Sequence, residues 1–294
     1  MNNKYVLFIP QGGINDCFTS IVRVISYCKR NKRTLLLDIT NSIYNINFSD
    51  YFYIKKLDCC IIYNSNEIKN IILSLENSNC LTVYPNNLDF NLIDLFDKTK
   101  KVSFTYQRGK PYFVYNNIPL NLPINVDENV ILHSRCGGNY LSLYGSEIKA
   151  DAFLFFKNLL LCENIKNIVK KKITLLKDNY LCIQVRNSDI KCDYKNLYKN
   201  NKNYIHNFDG VYICTDDKFA YEFFKSKILN VLCFTTFPEK SYRNLHESKI
   251  LPSTKIEDLL TDIFIATNSK FILSNSKGGF ISLLKNVIKI KNIY

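Results

Sequence analysis

Short, uninterrupted apolar runs alternate along this chain with stretches in which apolar residues recur every three or four positions. YVLFI (5–9), TLLLDI (34–39), CCIIY (59–63), CLTVY (80–84) and NVILH (129–133) have the length and content of buried strands. Between the first two, Phe18, Ile21, Val22, Ile25 and Cys28 share one side of a helix drawn over 15–31. Helical spacing recurs over 67–75 and 147–161. After residue 160 the alternation restarts with a lysine-rich amphipathic helix over about 163–177. There follow YLCIQV (180–185), GVYIC (210–214), a helix over 218–228, NVLCF (230–234), a helix over 256–267, KFILS (270–274) and a last helix over about 279–287. Continuously apolar strands between helices predict an α/β chain whose parallel sheets are covered on both faces. Two such series predict two Rossmann-like domains, 1–155 and 156–294, with no repeat or low-complexity linker between them.

Open parallel sheets bind ligands beyond the carboxyl ends of their strands, because helix N-termini and irregular backbone converge there. The residues after each predicted strand therefore matter most. PQGGIND follows the first, with Gly12, Gly13 and Asn15 entering a helix. Glycines let backbone approach a ligand, and the helix offers free N–H groups. An equal reading is a plain tight turn with Asn15 or Asp16 as cap. The pattern is not G-x-G-x-x-G and no Walker lysine follows, which disfavours NAD and P-loop chemistry. After NVILH come Ser134, Arg135, Cys136, Gly137, Gly138 and Asn139.

YLCIQV runs straight into Arg186, Asn187, Ser188 and Asp189. A guanidinium is permanently charged and forks two hydrogen bonds onto a phosphate. Asp189 would orient it or cap the next element; the plainer alternative is a structural Arg–Asp pair. Asp216 and Asp217 follow GVYIC, where one carboxylate suits a ribose or base donor and the other a helix cap. Asp262 lies within an apolar helix and requires a buried partner. Ser274, Ser276, Lys277, Gly278 and Gly279 open another helix, a second anion cradle.

Composition narrows the classes. The chain has 294 residues, 47% of them hydrophobic, enough to bury two cores. Runs such as NIILSL and AFLFF are too short to span a bilayer, and MNNKYVLFIPQGG lacks the marks of a signal peptide, so a soluble cytoplasmic protein is expected. Eleven scattered cysteines without zinc spacing, Cys60, Cys182, Cys214 and Cys233 among them in apolar runs, read as buried free thiols. The net charge of +13 is spread along the chain as compositional bias would spread it. It leaves an allowance for peripheral attraction to an inner membrane surface, and no nucleic-acid motif accompanies it. There is no G-x-S-x-G elbow and no D-x-D motif. In a transferase, arginine and helix termini would then neutralise a leaving diphosphate in place of a metal. Phe104, Tyr106, Tyr112, Phe113 and Tyr115 read as core or as a stacking surface for a sugar.

Together, GGINDCFTSIVRVISYCKRNKRTLLLD, CIQVRNSD, ICTDD and DIFIATNSKFILSNSKGGF resemble the motifs of the fucosyltransferase superfamily, which contains α-1,6-fucosyltransferases, protein O-fucosyltransferases and nodulation-type enzymes. HSRCGGN is similar to a feature of its bacterial members. The resemblance implies a GT-B fold, two Rossmann-like domains facing a central cleft, and metal-independent inverting transfer from GDP-fucose to a glycan, glycolipid or protein, with no cofactor. It places Arg186 on the diphosphate, Asp262 near the guanine or its supporting loop, and Ser276, Lys277 and Gly278 near the phosphates. Gln184 stands where the family usually has His, Ser188 where it has Thr, and Lys277-Gly278 where it often has Ser-Ser. A base is needed to deprotonate the acceptor hydroxyl; Asp193 is the expected one, with Asp16 in reserve. The rival readings are a transferase for another nucleotide sugar and a non-catalytic nucleotide- or glycan-binding protein. A nucleic-acid binder is suggested by charge alone.

Overall fold

The computed structural model describes residues 3–100, 102–107, 110, 112–124, 126–137, 146–188, 191–239, 245 and 248–292. Its contacts divide the chain into two units, Met1–Cys162 and Glu163–Tyr294.

In the first unit the chain runs β1 (Tyr5–Gln11), α1 (Ile14–Arg30), β2 (Thr34–Leu37), β3 (Phe52–Ile54), β4 (Ile61–Ile62), α2 (Ser65–Asn77) and β5 (Val83–Tyr84). It continues through β6 (Thr105–Tyr106), β7 (Phe113–Tyr115), β8 (Ile118–Pro119), β9 (Val130–Cys136), α3 (Ser146–Asn158) and β10 (Leu159–Leu161). Strands in the order β4-β2-β1-β9-β5 pair in parallel. Every residue of β1 is buried, as a central parallel strand covered on both faces requires. Tyr5, Leu7, Ile9, Val130 and Leu132 form one face and pack with Ile68 and Ile72 of α2. Side chains alternate along a strand, so Val6, Phe8 and His133 point to the other face. The Phe8 and His133 rings stack there at 5.2 Å.

Three sequence expectations changed. CCIIY and CLTVY shrink to two paired residues each, β4 and β5, and Cys60 is exposed. The helix drawn over 147–161 stops at Asn158, because Leu159–Leu161 pair antiparallel with Phe52–Ile54. A short apolar run does not by itself distinguish a helix end from a strand. The small antiparallel sheet β6-β7-β8 was not foreseen. Its second hairpin turns on Asn116 and Asn117, at φ 45° and 66°, the left-handed pair that a type I′ turn demands and Asn tolerates. Phe104 and Tyr115 pack on the core of the unit, whereas Tyr106 stays exposed against Phe113.

The second unit runs α4 (Glu163–Ile173), β11 (Tyr180–Val185), α5 (Tyr194–Ile205), β12 (Gly210–Thr215), α6 (Lys218–Lys225), β13 (Val231–Leu232), α7 (Pro252–Asn268), β14 (Phe271–Leu273) and α8 (Gly279–Asn292). Its parallel sheet has the order β13-β12-β11-β14. Leu181, Ile183, Val185, Val211 and Ile213 pack on one face with Leu197 and Ile205 of α5 and Ala220 and Phe224 of α6. The two helices lie side by side, Tyr194 and Tyr198 edge-on to Phe223. Helix α7 covers β11 and β12, and the Tyr180 hydroxyl donates to the Ile265 carbonyl at 2.7 Å. Helix α5 escaped the apolar pattern, since only Leu197 and Ile205 of its twelve residues are buried. Its signal was present in Tyr194, Leu197, Tyr198 and Ile205, a helical stripe once tyrosine is counted as apolar.

Candidate functional site

The carboxyl ends of β14, β11 and β12 lie side by side, in registers that pair Ile183 with Leu273 and Val185 with Thr215. A polar residue follows each strand, Ser274, Arg186 and Asp216; the registers set Arg186 level with Asp216 and Ser274 level with Gln184, two residues below. Hydrogen bonds join the three ends. Ser274 donates to Gln184 Oε1 at 2.7 Å and accepts from the Ser276 N–H at 3.1 Å. The Ser276 hydroxyl accepts from the Arg186 N–H at 3.0 Å. On the other side, Asp216 accepts from the Asn187 N–H at 2.7 Å and from the Ser188 hydroxyl at 2.6 Å. Asn187 Nδ2 donates to Asp217 at 2.5 Å, and Asp217 also caps α6 through the Phe219 N–H at 2.9 Å.

Arg186 lies along the turn that opens α8. A Cβ placed on Gly278 would come within 3.3 Å of Arg186 Cδ and 3.5 Å of its Nη1. A guanidinium is thus held at the N-terminus of a fourteen-residue helix that has no acid in its first turn. Both features are positive, and their shared preference is an anion of more than one charge. Lys277 is exposed on the same turn. Asp193 caps α5, accepting from the Asn196 N–H at 3.0 Å; its backbone carbonyl accepts from Asn275 Nδ2 at 3.1 Å.

Asp262 stands apart from this cluster. Its carboxylate faces the sheet, where the Tyr212 hydroxyl donates to it and Thr235 Oγ1 approaches at 3.4 Å. Burial pushes its pKa up to about 7, although hydrogen bonds from Tyr212, Cys214 and Thr235 act in the opposite direction. Thr235 follows β13, and the Thr236 N–H donates to Asp258 of the same helix at 2.7 Å. Asp262 therefore holds the segment after β13 and is sealed behind it, the position of a support.

In the first unit, Gly12 has φ +89°, and a Cβ there would meet Cys136 Sγ at 2.7 Å. A Cβ on Gly137 would fall 2.5 Å from the Asp16 carbonyl oxygen. These glycines let the end of β9 close on the start of α1. The cap of α1 is Gly13, with no side-chain bond, so Asn15 and Asp16 lie inside the first turn and are not caps. Asn15 receives the Thr19 hydroxyl on its carbonyl at 2.7 Å. Burial and then Asp16 raise the neighbouring Cys136 thiol to about 11. His133 is a core residue, its Nδ1 2.7 Å from the Leu120 carbonyl and its pKa pushed down to about 4 by burial.

The structure thus gathers Arg186, Asp216, Ser274, Ser276, Lys277 and Gly278 at one edge of the second sheet, with Asp193 at its border. Gly12, Gly13 and Asn15 lie at the equivalent edge of the first sheet. Asp189, Gly138 and Asn139 lie outside the described residues. Sequence reasoning missed Asn187, Cys192 and Asn275, whose side chains tie the loop after β11; nothing in a lone sequence marks an asparagine or cysteine as a tie.

No family model matches the sequence, and no curated protein matches it. Solved structures do match in fold. The NodZ α-1,6-fucosyltransferase soaked with GDP-fucose superposes with a TM-score of 0.56 at 15% identity, over 98% of this chain and 92% of that one. The fucosyltransferase NodZ from Bradyrhizobium gives 0.57 at 14%, over 98% and 94%. POFUT1 in complex with GDP-fucose gives 0.59 at 12%, over 98% and 95%. The chain has the GT-B fold, and the fucosyltransferases are the class of enzyme whose architecture it shares.

Proposed function

We propose that this protein transfers fucose from GDP-fucose to a carbohydrate-containing acceptor, with inversion and without a metal. The observation that carries the reading is Arg186 laid against Gly278 at the N-terminus of α8. Negative charge grows on a departing diphosphate, and a fixed guanidinium and helix N–H groups stabilise that charge more in the transition state than before it. The same fold in NodZ soaked with GDP-fucose and in POFUT1 bound to it supports the choice of donor. Asp216 and Ser276 hold the backbone on either side of Arg186, so they act as its frame. Asp262 acts behind the segment after β13, where a base would rest. Asp193 is the described carboxylate nearest the arginine in sequence, and its exposed side chain takes the role of general base beside that of helix cap.

The test is a donor screen with chelator present. GDP-fucose, GDP-mannose and UDP-sugars are incubated with the protein and candidate acceptors, and nucleotide release is measured. Release from GDP-fucose alone is expected. Turnover of another donor would transfer the scaffold to that sugar, and GDP binding without any turnover would make the protein a nucleotide-binding module.

A further inference from the structure

We propose that the amino edge of the second sheet, opposite the edge that carries Arg186, is a docking surface for a bilayer containing anionic phospholipid. A parallel sheet returns each crossover helix to its amino edge, so the last turns of α4, α5 and α6 gather there with the links into β11, β12, β13 and β14. Hydrogen bonds make these links neighbours. The Val211 N–H donates to the Asn230 carbonyl at 2.8 Å, the Asp209 N–H to the Asn179 carbonyl at 2.9 Å and the Lys270 N–H to the Tyr180 carbonyl at 3.0 Å. Exposed lysines crowd the edge: Lys170 and Lys171 in the last turn of α4, Lys202 in that of α5 and Lys225 in that of α6. Lys177, Lys227 and Lys270 in the links are exposed as well. The acids among the described residues of this edge are Asp178, Asp209 and Glu222, so positive charge prevails. Six large apolar side chains described in the second unit are exposed, and four of them stand here. Leu229 projects whole at 101% exposure, and Leu175, Phe271 and Tyr204 are 64%, 49% and 42% exposed. Tyr204 lies edge-on to Phe271 at 5.7 Å, so these two form one aromatic tip.

A lysine at a helix C-terminus suits the helix dipole, and a lone exposed leucine is ordinary. Gathered on one edge, they have a different chemistry. Lysine stems lie along apolar surface while their ammonium groups stay in water, so lysines around leucine and phenylalanine tips match the boundary between headgroups and acyl chains. The ammonium groups are drawn to anionic headgroups, and the tips enter beneath them. A protein partner fits less well, because protein interfaces favour arginine over lysine and no described residue of this edge is arginine. Nucleic acid would use the lysines and leave the leucines in water. Docking here leaves the carboxyl edge, at the far end of the six-residue strand β11, open to solutes.

The test is co-sedimentation of the whole chain with vesicles of phosphatidylcholine alone, and of phosphatidylcholine with phosphatidylserine, at low and high salt. Wild type is expected to pellet with the anionic vesicles, and less so as salt rises. Leu229→Glu alters a wholly exposed side chain, so the fold is kept, and should lower the partition coefficient about ten-fold. Lys227→Glu combined with Lys270→Glu should lower it by at least as much. Lys55→Glu combined with Lys56→Glu makes the same change of net charge on exposed residues of the first unit, and should stay within about three-fold of wild type. Binding by Leu229→Glu equal to that of wild type would overturn the proposal, as would equal losses from the two lysine pairs. Failure of the wild type to pellet with anionic vesicles would also overturn it, and binding to a polynucleotide in that case would assign the edge to nucleic acid.

Discussion

Asp262→Asn separates the cost of a buried charge from everything else that pH does to this protein. The Asp262 carboxyl rises from an ordinary value near 3.8 to about 7, chiefly because burial disfavours its ionised form. In the unfolded chain it ionises near the ordinary value. Folding is therefore undisturbed by this group below about pH 4, and each further unit of pH up to about 7 costs about 1.4 kcal/mol, after which the penalty is constant. Between pH 5 and pH 8 the loss integrates to about 2–3 kcal/mol. The amide in Asp262→Asn accepts the Tyr212 hydroxyl through Oδ1 and does not titrate. Urea unfolding followed by circular dichroism at both pH values, for wild type and variant, gives four free energies. The difference of differences cancels every other titrating group. Wild type is expected to lose about 2–3 kcal/mol more than the variant between pH 5 and pH 8. If both lose the same amount, Asp262 is not the buried, raised carboxyl described above.

Gly278→Val places side-chain atoms where Arg186 Cδ now runs, at 3.3 Å from the would-be Cβ; GDP affinity measured by titration should fall at least about ten-fold, while affinity for guanosine holds. Arg186→Ala should lower fucose transfer by roughly 10²–10³, the worth of one charge-stabilising contact; a rate within about three-fold of wild type would remove the arginine from the chemistry. Asp193→Asn keeps a competent helix cap but no proton acceptor. Its kcat should drop at least about 100-fold with an unchanged melting temperature, and an unaffected kcat would leave Asp193 as a cap only. Chelator should leave transfer unchanged, and restoration of a lost rate by Mg²⁺ or Mn²⁺ would return the diphosphate to a metal.

The long periodic elements were legible in the sequence because burial on two faces writes itself into composition. YLCIQV is a strand over the same six residues in the structure, and the strand drawn at GVYIC gains only Thr215. Helices α1, α7 and α8 begin within a few residues of where spacing and glycine turns put them. Arg186 and the Ser274–Gly278 turn were also legible, since a strand that ends in a charge and a helix that starts in serine and glycine are both local statements. Paired pieces two or three residues long were not, because β3 with β10 and β6 with β7 are defined by partners and not by their own pattern.

The sequence by itself determined two series of alternating strands and helices, a guanidinium at the end of the first strand of the second series, and glycine-led helix starts after the first and last strands of the chain. Those follow from near-neighbour chemistry, which a linear text carries in full. Only the tertiary structure decided that Arg186 lies against Gly278, some ninety positions away, that the Cys192 thiol meets Asn275, and that Asp262 faces Tyr212 in place of solvent. The physical reason is that hydrogen bonds and desolvation depend on distance in space, and the strand order β13-β12-β11-β14 brings together chain segments that the sequence keeps far apart.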